Sequence, residues 1–410
     1  MRGFTTKAIH GTQTGGDQHG SLRPPVYDSV AFEHPDSRAL QDAFAGRKPA
    51  HVYSRITNPT VQDFEQKINL LAGGRGAIAV ASGMAAITNT VLALGAAGKN
   101  IVTTKCLFGN TLSLFERTLS SWGLGVKFAQ MTDPDSVERA IDQNTVALFA
   151  ESITNPQLKV ADFAKLSALT RKHAIPLVVD NTVTTPYLFQ SKSAGVDLEI
   201  LSTTKYISGG GSSVGGVIVD NGNYDWNQSE KLSGAAKKYG QMAFLATLRR
   251  EVYRNLGACL SPHNAYLQSL GLETMALRID KSCQNAAEIA NFLQEQPKVQ
   301  FVHYPWLSDS PFNATAKKQF SGKFGGILTF DLQDSQACFQ FMDSLQIIKR
   351  ATNINDNKTL VIHPFSTIFS EYSDEEKSEI GIRPAMIRLS AGIEDVEDLI
   401  EDLRKGLGAL

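Results

Sequence analysis

Cysteine is scarce in this chain of 410 residues, and its four copies are far apart, at positions 106, 259, 283 and 338. No two of them form a CxxC pair, so metal-ligand spacing is absent and a disulfide framework is not expected at this length. Long apolar runs are lacking too, both at the N-terminus, where a secretory signal needs one, and at the length of a membrane span. The chain is therefore expected to be cytoplasmic, with reduced thiols, no bound metal and no membrane partner.

An excess of either charge is also lacking. The 40 Lys and Arg residues nearly balance the 41 Asp and Glu residues, which gives a formal net charge of −1. Because no global field attracts polyanions, nucleic acid is not an expected partner, although a local patch could still bind one phosphate.

The first 50 residues show little hydrophobic periodicity and are rich in Gly, His, Pro and Ser, which favours an N-terminal arm over an independent domain. Helical and strand patterns then alternate. The strand patterns are short continuous apolar runs, as in residues 76–82 and 176–181, and such runs indicate parallel strands that helices cover on both faces. The sequence predicts an α/β cofactor-binding domain over residues 51–245, with a doubly wound, mostly parallel sheet.

The pattern changes in the second half of the chain. A long helix-like region over 248–295 is followed by short strand candidates at 301–306 and 325–332, and by a terminal helix at 393–407. This arrangement predicts a smaller C-terminal α+β domain over residues 246–410.

Three predicted strand ends carry residues that chemistry could use, and ligands bind beyond the carboxyl ends of strands in open α/β sheets. Ser82 and Gly83 before a helix fit a phosphate cup, or a plain turn with a Ser cap. Asp180 after a buried strand needs a partner, which is either a protonated ring nitrogen or a backbone cap. Lys205 beside a glycine-rich stretch is either a desolvated nucleophile or a surface lysine.

Taken together, the three strand ends meet the requirements of one cofactor. Pyridoxal 5′-phosphate needs a cup for its phosphate, an acid for its ring nitrogen and an amine for its aldehyde. The glycine-rich stretch after Lys205 does not match GxxxxGK[ST], which disfavours a Walker-type phosphate loop. The alternative is a non-catalytic protein that binds a phosphate ligand or nucleotide, and such a protein has no use for Lys205.

Linked motifs along nearly the whole chain, from YSRITNPT at 53–60 to RLSAGIED at 388–395, resemble the Cys/Met-metabolism family of pyridoxal-phosphate enzymes. The resemblance implies fold type I, with Lys205 as the catalytic residue that carries the cofactor as a Schiff base. It implies that Tyr53 and Arg55 reach across a subunit boundary to the cofactor phosphate, so a homotetramer built as a dimer of dimers is expected. The remaining residues that it assigns are, for the cofactor, Gly83, Met84, Phe108, Asn155, Asp180, Ser202 and Thr204 and, for the substrate, Asn353 and Arg388.

Within the family, FGNT at 108–111 and the glycine-rich extension of the STTK motif look closest to the sulfhydrylases that act on O-acetylhomoserine. This resemblance implies γ-replacement, in which sulfide or a thiol displaces the acyl group of a homoserine ester to give homocysteine or methionine. Methionine or cystathionine γ-lyase and cystathionine γ-synthase are the alternatives.

Some positions depart from the usual pattern of the family. Phe108 stands where most members have Tyr, so Lys205 would carry more of the acid–base work. Gly210 stands where His is common, and Ile368–Phe369 stand in place of Thr–His. These departures bear on the choice of substrate rather than on cofactor binding.

Overall fold

The computed structural model describes residues 2–11 and 19–410. Residue 1 and residues 12–18, which belong to the predicted N-terminal arm, lie outside the described residues. The strands are β1 (Gly76–Val80), β2 (Asn100–Thr103), β3 (Gly125–Phe128), β4 (Thr145–Glu151), β5 (Leu177–Asp180), β6 (Leu198–Leu201), β7 (Gly216–Asp220), β8 (Phe301–His303), β9 (Ile327–Asp331), β10 (Lys349–Arg350), β11 (Leu360–Ile362) and β12 (Met386–Ser390). The α-helices are α1 (Phe4–His10), α2 (Ser37–Phe44), α3 (Pro59–Ala72), α4 (Gly83–Leu94), α5 (Gly109–Ser113), α6 (Pro134–Ala140), α7 (Phe163–Lys172), α8 (Thr185–Leu188), α9 (Ser233–Tyr239), α10 (Ala243–Thr247), α11 (Arg254–Leu256), α12 (Pro262–Gln294), α13 (Asn313–Gln319), α14 (Ser335–Ser344), α15 (Asp374–Glu379) and α16 (Val396–Gly408).

The larger sheet has seven strands in the order β1-β7-β6-β5-β4-β2-β3. Neighbouring strands are parallel except at β7, which runs antiparallel to both β1 and β6. Every residue of β2, β6 and β7 is buried, as expected of strands that are covered on both faces. The prediction of a doubly wound, mostly parallel sheet is confirmed, and the carboxyl ends of its six parallel strands share one edge.

The smaller sheet has the order β10-β11-β12-β9-β8 and is antiparallel except between β10 and β11. Strands β8 and β9 and helix α16 lie where the sequence predicts them. The central strand β12 is the one that carries Arg388. Strand β12 thereby brings a C-terminal cation towards the larger sheet.

The long helix-like region over 248–295 is not one helix. A π-helical turn at Leu248–Tyr253 and the short α11 end at Gly257, which has a φ of 72° in the left-handed region. The 33-residue α12 then begins afresh at Pro262, after Ser261 caps its first turn. Glycine is favoured at a left-handed helix end and proline at a helix start, which explains the interruption.

One hydrophobic cluster connects the two sheets, since it includes Leu148 and Val179 of the larger sheet and Leu328 and Leu389 of the smaller one. Residues 243–247 form α10 at the expected domain boundary. The division at residue 245 and the assignment of residues 1–50 to an arm both stay predictions. Among the helices of residues 2–11 and 19–410, none is long and apolar enough to cross a membrane.

Candidate active site

A cavity of about 270 Å³ opens at the carboxyl edge of the larger sheet. Among the residues that the sequence predicts for the site, all except Tyr53, Arg55 and Asn353 line it. Its walls include the ends of β4, β5 and β6 and the start of α4. The smaller sheet contributes Arg388 of β12 and two residues of the loop between β10 and β11. The lining residues are Ser82, Gly83, Met84, Ile87, Phe108, Thr111, Glu151, Ile153, Asn155, Asp180, Thr182, Val183, Ser202, Thr204, Lys205, Val214, Thr352, Ile354 and Arg388.

The start of α4 forms one wall of the cavity. Ser82 caps this helix, because its Oγ accepts a hydrogen bond from the backbone N–H of Ala85 at 3.0 Å. A Cβ on Gly83 would lie 2.7 Å from the Cβ of Ser202, so only glycine fits there without displacement. The N–H groups of the first helical turn, including those of Gly83 and Met84, have no partner within the helix and favour an anion. The Ser cap and the phosphate cup are therefore compatible with each other.

Asp180 ends β5 at the floor of the cavity. Its Oδ1 accepts a hydrogen bond from the backbone N–H of Thr182 at 2.9 Å, and burial raises the pKa of its carboxyl group. Thr182 also accepts a hydrogen bond, through its Oγ1, from the backbone N–H of Ser202 at 2.7 Å, which ties the end of β5 to the end of β6. Thr182 belongs to the strand end, Asp180–Asn181–Thr182, that the sequence singles out, although the sequence predicts no role for it. A cationic group in the cavity would favour the ionised form of Asp180.

Lys205 projects into the cavity, and its Nζ donates a hydrogen bond to Oδ1 of Asn353 at 2.7 Å. Burial and, as a smaller cause, the positive charge of Arg388 together lower the pKa of this amine to about 8, against the opposing effects of Asp356 and Asp180. The amide of Asn353 is held in turn by Asp356, whose Oδ2 accepts from Nδ2 at 2.9 Å. A desolvated amine with a lowered pKa is a nucleophile and a base near neutral pH, so Lys205 is not a surface lysine.

Arg388 is almost completely buried, with 1% of its surface exposed. Its Nη1 donates to Oδ1 of Asn155 at 3.1 Å, and its Nη2 donates to the carbonyl oxygens of Thr352 at 2.9 Å and Asn353 at 3.2 Å. Its Nε has no hydrogen-bond partner among the described residues. Burial lowers the pKa of Arg388 to about 9. These partners are neutral, so an anionic ligand group would supply a counter-charge.

Glu151, at the end of β4, is the principal lining residue that sequence reasoning missed. Its Oε1 accepts from the backbone N–H of Phe108 at 2.7 Å, and its Oε2 accepts from that of Asn155 at 3.1 Å. Burial and the neighbouring Asp180 raise the pKa of Glu151 to about 8, against the effect of these two hydrogen bonds. The signal was present in the sequence, because Glu151 follows a buried apolar run just as Asp180 does.

Tyr53 and Arg55 lie outside the cavity of their own chain. Tyr53 is 39% exposed and forms a β-bridge with Ala31. The guanidinium of Arg55 lies over the Tyr53 ring, 5.3 Å from its centroid, and donates a hydrogen bond to the carbonyl oxygen of Arg254 at 2.5 Å. Their predicted role in a neighbouring site stays a prediction.

Of the departures from the family pattern, Phe108 lines the cavity, whereas Gly210, Ile368 and Phe369 lie around it. Phe369 is fully buried in a hydrophobic cluster with Tyr372. A Cβ on Gly109 would lie 2.3 Å from the carbonyl oxygen of Ile368, so this segment packs closely behind the Phe108 loop. A Cβ on Gly210 would lie 3.4 Å from Nδ2 of Asn357. The larger side chain that is common at position 210 would therefore meet the 353–357 loop.

Two named relatives match this chain over nearly its whole length. An O-acetyl-L-homoserine sulfhydrylase from Corynebacterium glutamicum is 35% identical over 100% of this chain and 97% of its own length. An L-methionine gamma-lyase from Pseudomonas putida is 36% identical over 100% of this chain and 98% of its own length.

A solved structure also matches closely. A putative O-acetylhomoserine (thiol)-lyase from Campylobacter jejuni superposes with a TM-score of 0.94 at 35% identity and covers 99% of both chains; its structure holds N′-pyridoxyl-lysine-5′-monophosphate at position 205. This agreement confirms the prediction of fold type I. The family model described as Cys/Met metabolism PLP-dependent enzyme matches residues 5–408, which confirms the cofactor prediction. From its sequence, its fold and its cavity, this chain belongs to the Cys/Met-metabolism family of pyridoxal-phosphate-dependent enzymes.

Proposed function

We propose that the chain catalyses γ-replacement on an O-acylated homoserine, with O-acetylhomoserine as the ester and sulfide or a thiol as the nucleophile. The products are homocysteine or methionine together with the released acid. The observation that carries this proposal is a single cavity that brings together the amine of Lys205, the carboxyl group of Asp180 and the guanidinium of Arg388. The name of the relative from Corynebacterium glutamicum supports the choice of ester.

The cavity has the donor set that pyridoxal 5′-phosphate requires. When bound, this cofactor supplies a reactive aldehyde and a ring that accepts electrons from the substrate. The start of α4, where Gly83 packs against Ser202 and where the N–H groups of the first turn favour an anion, fits the phosphate. The buried carboxyl group of Asp180, whose pKa burial raises, fits a protonated ring nitrogen, which would favour its ionised form. We assign Gly83, Met84, Ser202 and Thr204 to the phosphate, Phe108, Asn155 and Asp180 to the ring, and Lys205 to the covalent attachment.

The remaining residues act on the substrate. Arg388 binds the α-carboxylate, because its buried guanidinium can donate to both oxygens of a planar anion. Nζ of Lys205 removes and returns protons at the α- and β-carbons, since its pKa of about 8 allows both protonation states near neutral pH. Phe108 lacks a hydroxyl group that could share this task, and the amide of Asn353 holds Nζ between transfers.

The attachment site is tested by borohydride reduction and peptide mass mapping of the purified protein. A pyridoxyl adduct on Lys205 is expected, together with its loss in the Lys205→Ala variant. An adduct on a different lysine, or a colourless protein, would overturn the assignment. A colourless protein would favour the non-catalytic alternative.

The reaction type is tested by following homocysteine and 2-oxobutyrate together while sulfide is varied at a fixed concentration of O-acetylhomoserine. Homocysteine should exceed 2-oxobutyrate at saturating sulfide. The second candidate is a γ-lyase, which the 36% identity to the methionine gamma-lyase favours. Dominant 2-oxobutyrate at saturating sulfide would establish that candidate, and cysteine as the preferred nucleophile would indicate a cystathionine γ-synthase.

We also propose a homotetramer, built as a dimer of dimers, in which Tyr53 and Arg55 complete the phosphate site of a neighbouring subunit. The N-terminal segment supports this proposal, because it exposes large apolar side chains, with Leu22 93%, Val30 60% and Phe44 68% exposed. Mixed oligomers of Lys205→Ala and Arg55→Ala chains should recover part of the activity, because one site in each mixed pair would be intact. Verified mixed oligomers without any recovery would argue against a shared site.

A cytoplasmic location is proposed as well. The four cysteines are free and three of them are buried, which fits a reducing compartment. Cell fractionation tests this location, and recovery of the protein outside the cytoplasmic fraction would contradict it.

A further inference from the structure

One buried carboxyl group joins two separate loops at the cavity. Glu151 is 7% exposed, and it lines the same cavity as Lys205 and Asp180. Its two oxygens accept hydrogen bonds from the backbone N–H groups of Phe108 at 2.7 Å and Asn155 at 3.1 Å. Phe108 belongs to the loop that follows β2, and Asn155 belongs to the loop that follows β4. A single side chain therefore fixes the spacing between these loops.

Only a carboxyl group of this length satisfies both donors. The two N–H groups approach different oxygens, whereas glutamine has one oxygen and an NH₂ group that cannot accept a hydrogen bond. Aspartate is shorter by one methylene, so it cannot keep both contacts without movement of a loop. The position is otherwise unfavourable for an ionised acid, because Glu151 is buried and pairs in register with Asp180 on the neighbouring strand, and both effects raise its pKa. The two hydrogen bonds are the interactions that offset this cost.

The contact extends beyond the two loops. Oδ1 of Asn155 accepts a hydrogen bond from Nη1 of Arg388 at 3.1 Å. The chain of contacts consequently runs from Phe108 through Glu151 and Asn155 to Arg388, which is the residue assigned to the substrate carboxylate.

We infer that Glu151 is a positioning residue, which sets the width of the cofactor cavity by holding the Phe108 and Asn155 loops at a fixed separation. It acts through these two backbones and not by contact with the reacting atoms. The inference rests on the proposed function only in placing the cofactor in this cavity, and it is independent of which ester or sulfur donor is used.

The Glu151→Gln variant tests this role, because it keeps the size of the side chain and removes one acceptor. Glu199→Gln is a matched control. Glu199 is also a fully buried carboxyl group on a strand of the same sheet, and it accepts hydrogen bonds from Nδ2 of Asn181 at 2.8 Å and from the hydroxyl group of Ser191, but it does not line the cavity. Glu151→Ala removes both acceptors and serves as the stronger perturbation if it folds.

The first measurement is amide hydrogen exchange in the cofactor-free protein. In Glu151→Gln, the peptides that contain Phe108 and Asn155 should exchange about tenfold faster than in the natural chain, since a lost hydrogen bond lowers the free energy of local opening. The same peptides should be unchanged in Glu199→Gln.

The second measurement is reconstitution with pyridoxal 5′-phosphate, followed through the visible circular dichroism of the bound cofactor. Glu151→Gln should weaken the Kd for the cofactor about tenfold, equivalent to about 1.4 kcal/mol. The induced dichroism should fall because the ring is held less uniformly, and the KM for the homoserine ester should rise because Arg388 loses a fixed partner. Glu199→Gln should retain the natural values.

Unaltered amide exchange and unaltered cofactor affinity in Glu151→Gln would overturn the inference. Equal losses of protection and of cofactor affinity in Glu151→Gln and Glu199→Gln would also overturn it, since these would indicate a general effect on the sheet. Failure of the natural chain to take up the cofactor would overturn the proposed function as well. Normal loading of the natural chain combined with an unaffected Glu151→Gln variant would overturn this inference alone.

Discussion

The lowered pKa of Lys205 gives the sharpest test of the cavity. Burial, followed by the charge of Arg388, brings the pKa of this amine from its ordinary value of 10.5 to about 8. At pH 7.5, about one quarter of the Lys205 amines would therefore be neutral, compared with about one in a thousand for an ordinary lysine. We expect Lys205 to react with aldehydes about two hundredfold faster than a surface lysine does at this pH, if the neutral amines are equally nucleophilic.

Two variants separate the effect of neighbouring charges on the pKa of Lys205 from the effect of burial. Arg388→Gln removes a positive charge that disfavours the protonated amine, so the pKa of Lys205 should rise. Asp356→Asn removes a negative charge that favours the protonated amine, so the pKa should fall. The two variants should shift the pKa in opposite directions, with the natural chain between them.

Competitive labelling of the cofactor-free protein with a reductive-methylation reagent measures this pKa, with the extent of labelling at Lys205 read by mass spectrometry from pH 6 to 11. Surface lysines of the same chain serve as the internal standard. A midpoint near 10 in the natural chain would refute the reasoning, because it would mean that Lys205 is solvated. Shifts in the same direction for both variants would show that their charges do not act on Lys205 as described.

Three further predictions concern the walls of the cavity and the sheet. Asp180→Ala should reduce cofactor binding by about 3–5 kcal/mol, whereas Phe108→Tyr keeps the ring and should be tolerated; equal losses of cofactor affinity would mean that one residue is misplaced. Gly83→Ala should weaken cofactor binding by about 1–3 kcal/mol, because its Cβ would lie 2.7 Å from that of Ser202; an unchanged Kd in a fluorescence titration would contradict the close fit. Burial raises the pKa of Glu199 from 4.5 to about 7, so the folded chain retains a proton that the unfolded chain releases. As the pH rises from 4.5 to 7, the free energy of unfolding of the natural chain should therefore fall relative to that of Glu199→Gln, by on the order of 3 kcal/mol. Urea titrations of both cofactor-free proteins measure this difference, and a difference that stays constant with pH would disprove the prediction.

Parallel topology explains why much of the site could be predicted. Asp180 and Lys205 follow adjacent strands, and parallel strands end at the same edge, so apolar runs that end in polar residues point to one cavity. Glu151 follows the same rule, because it ends the buried, parallel strand β4. The direction of strand β7 could not be predicted in this way. This strand runs antiparallel to both of its neighbours, and the hydrophobic pattern of a strand does not specify its direction.

Contacts between distant segments could not be read from spacing. Arg388 and Asn155 form a hydrogen bond although they are 233 positions apart, and nothing in either local pattern specifies the partner. Asn353 lies in a loop without regular periodicity, so its contact with Lys205 depends on how the smaller sheet packs against the larger one. For these residues the family motifs, rather than the hydrophobic pattern, carried the prediction.

The pKa values of the ionisable groups in the cavity are shifted towards the neutral forms of these groups, and a ligand of opposite charge would reverse each shift. The pKa of Lys205 is lowered to about 8 and that of Arg388 to about 9, while the pKa of Glu151 is raised to about 8 and that of Asp180 is raised as well. In each case burial is the largest cause, and it penalises the ionised form because too little counter-charge is near. A substrate carboxylate beside Arg388 and a protonated ring nitrogen beside Asp180 would each supply the missing charge. Ligand groups with these charges would therefore stabilise the ionised forms of Arg388 and Asp180, which burial alone disfavours.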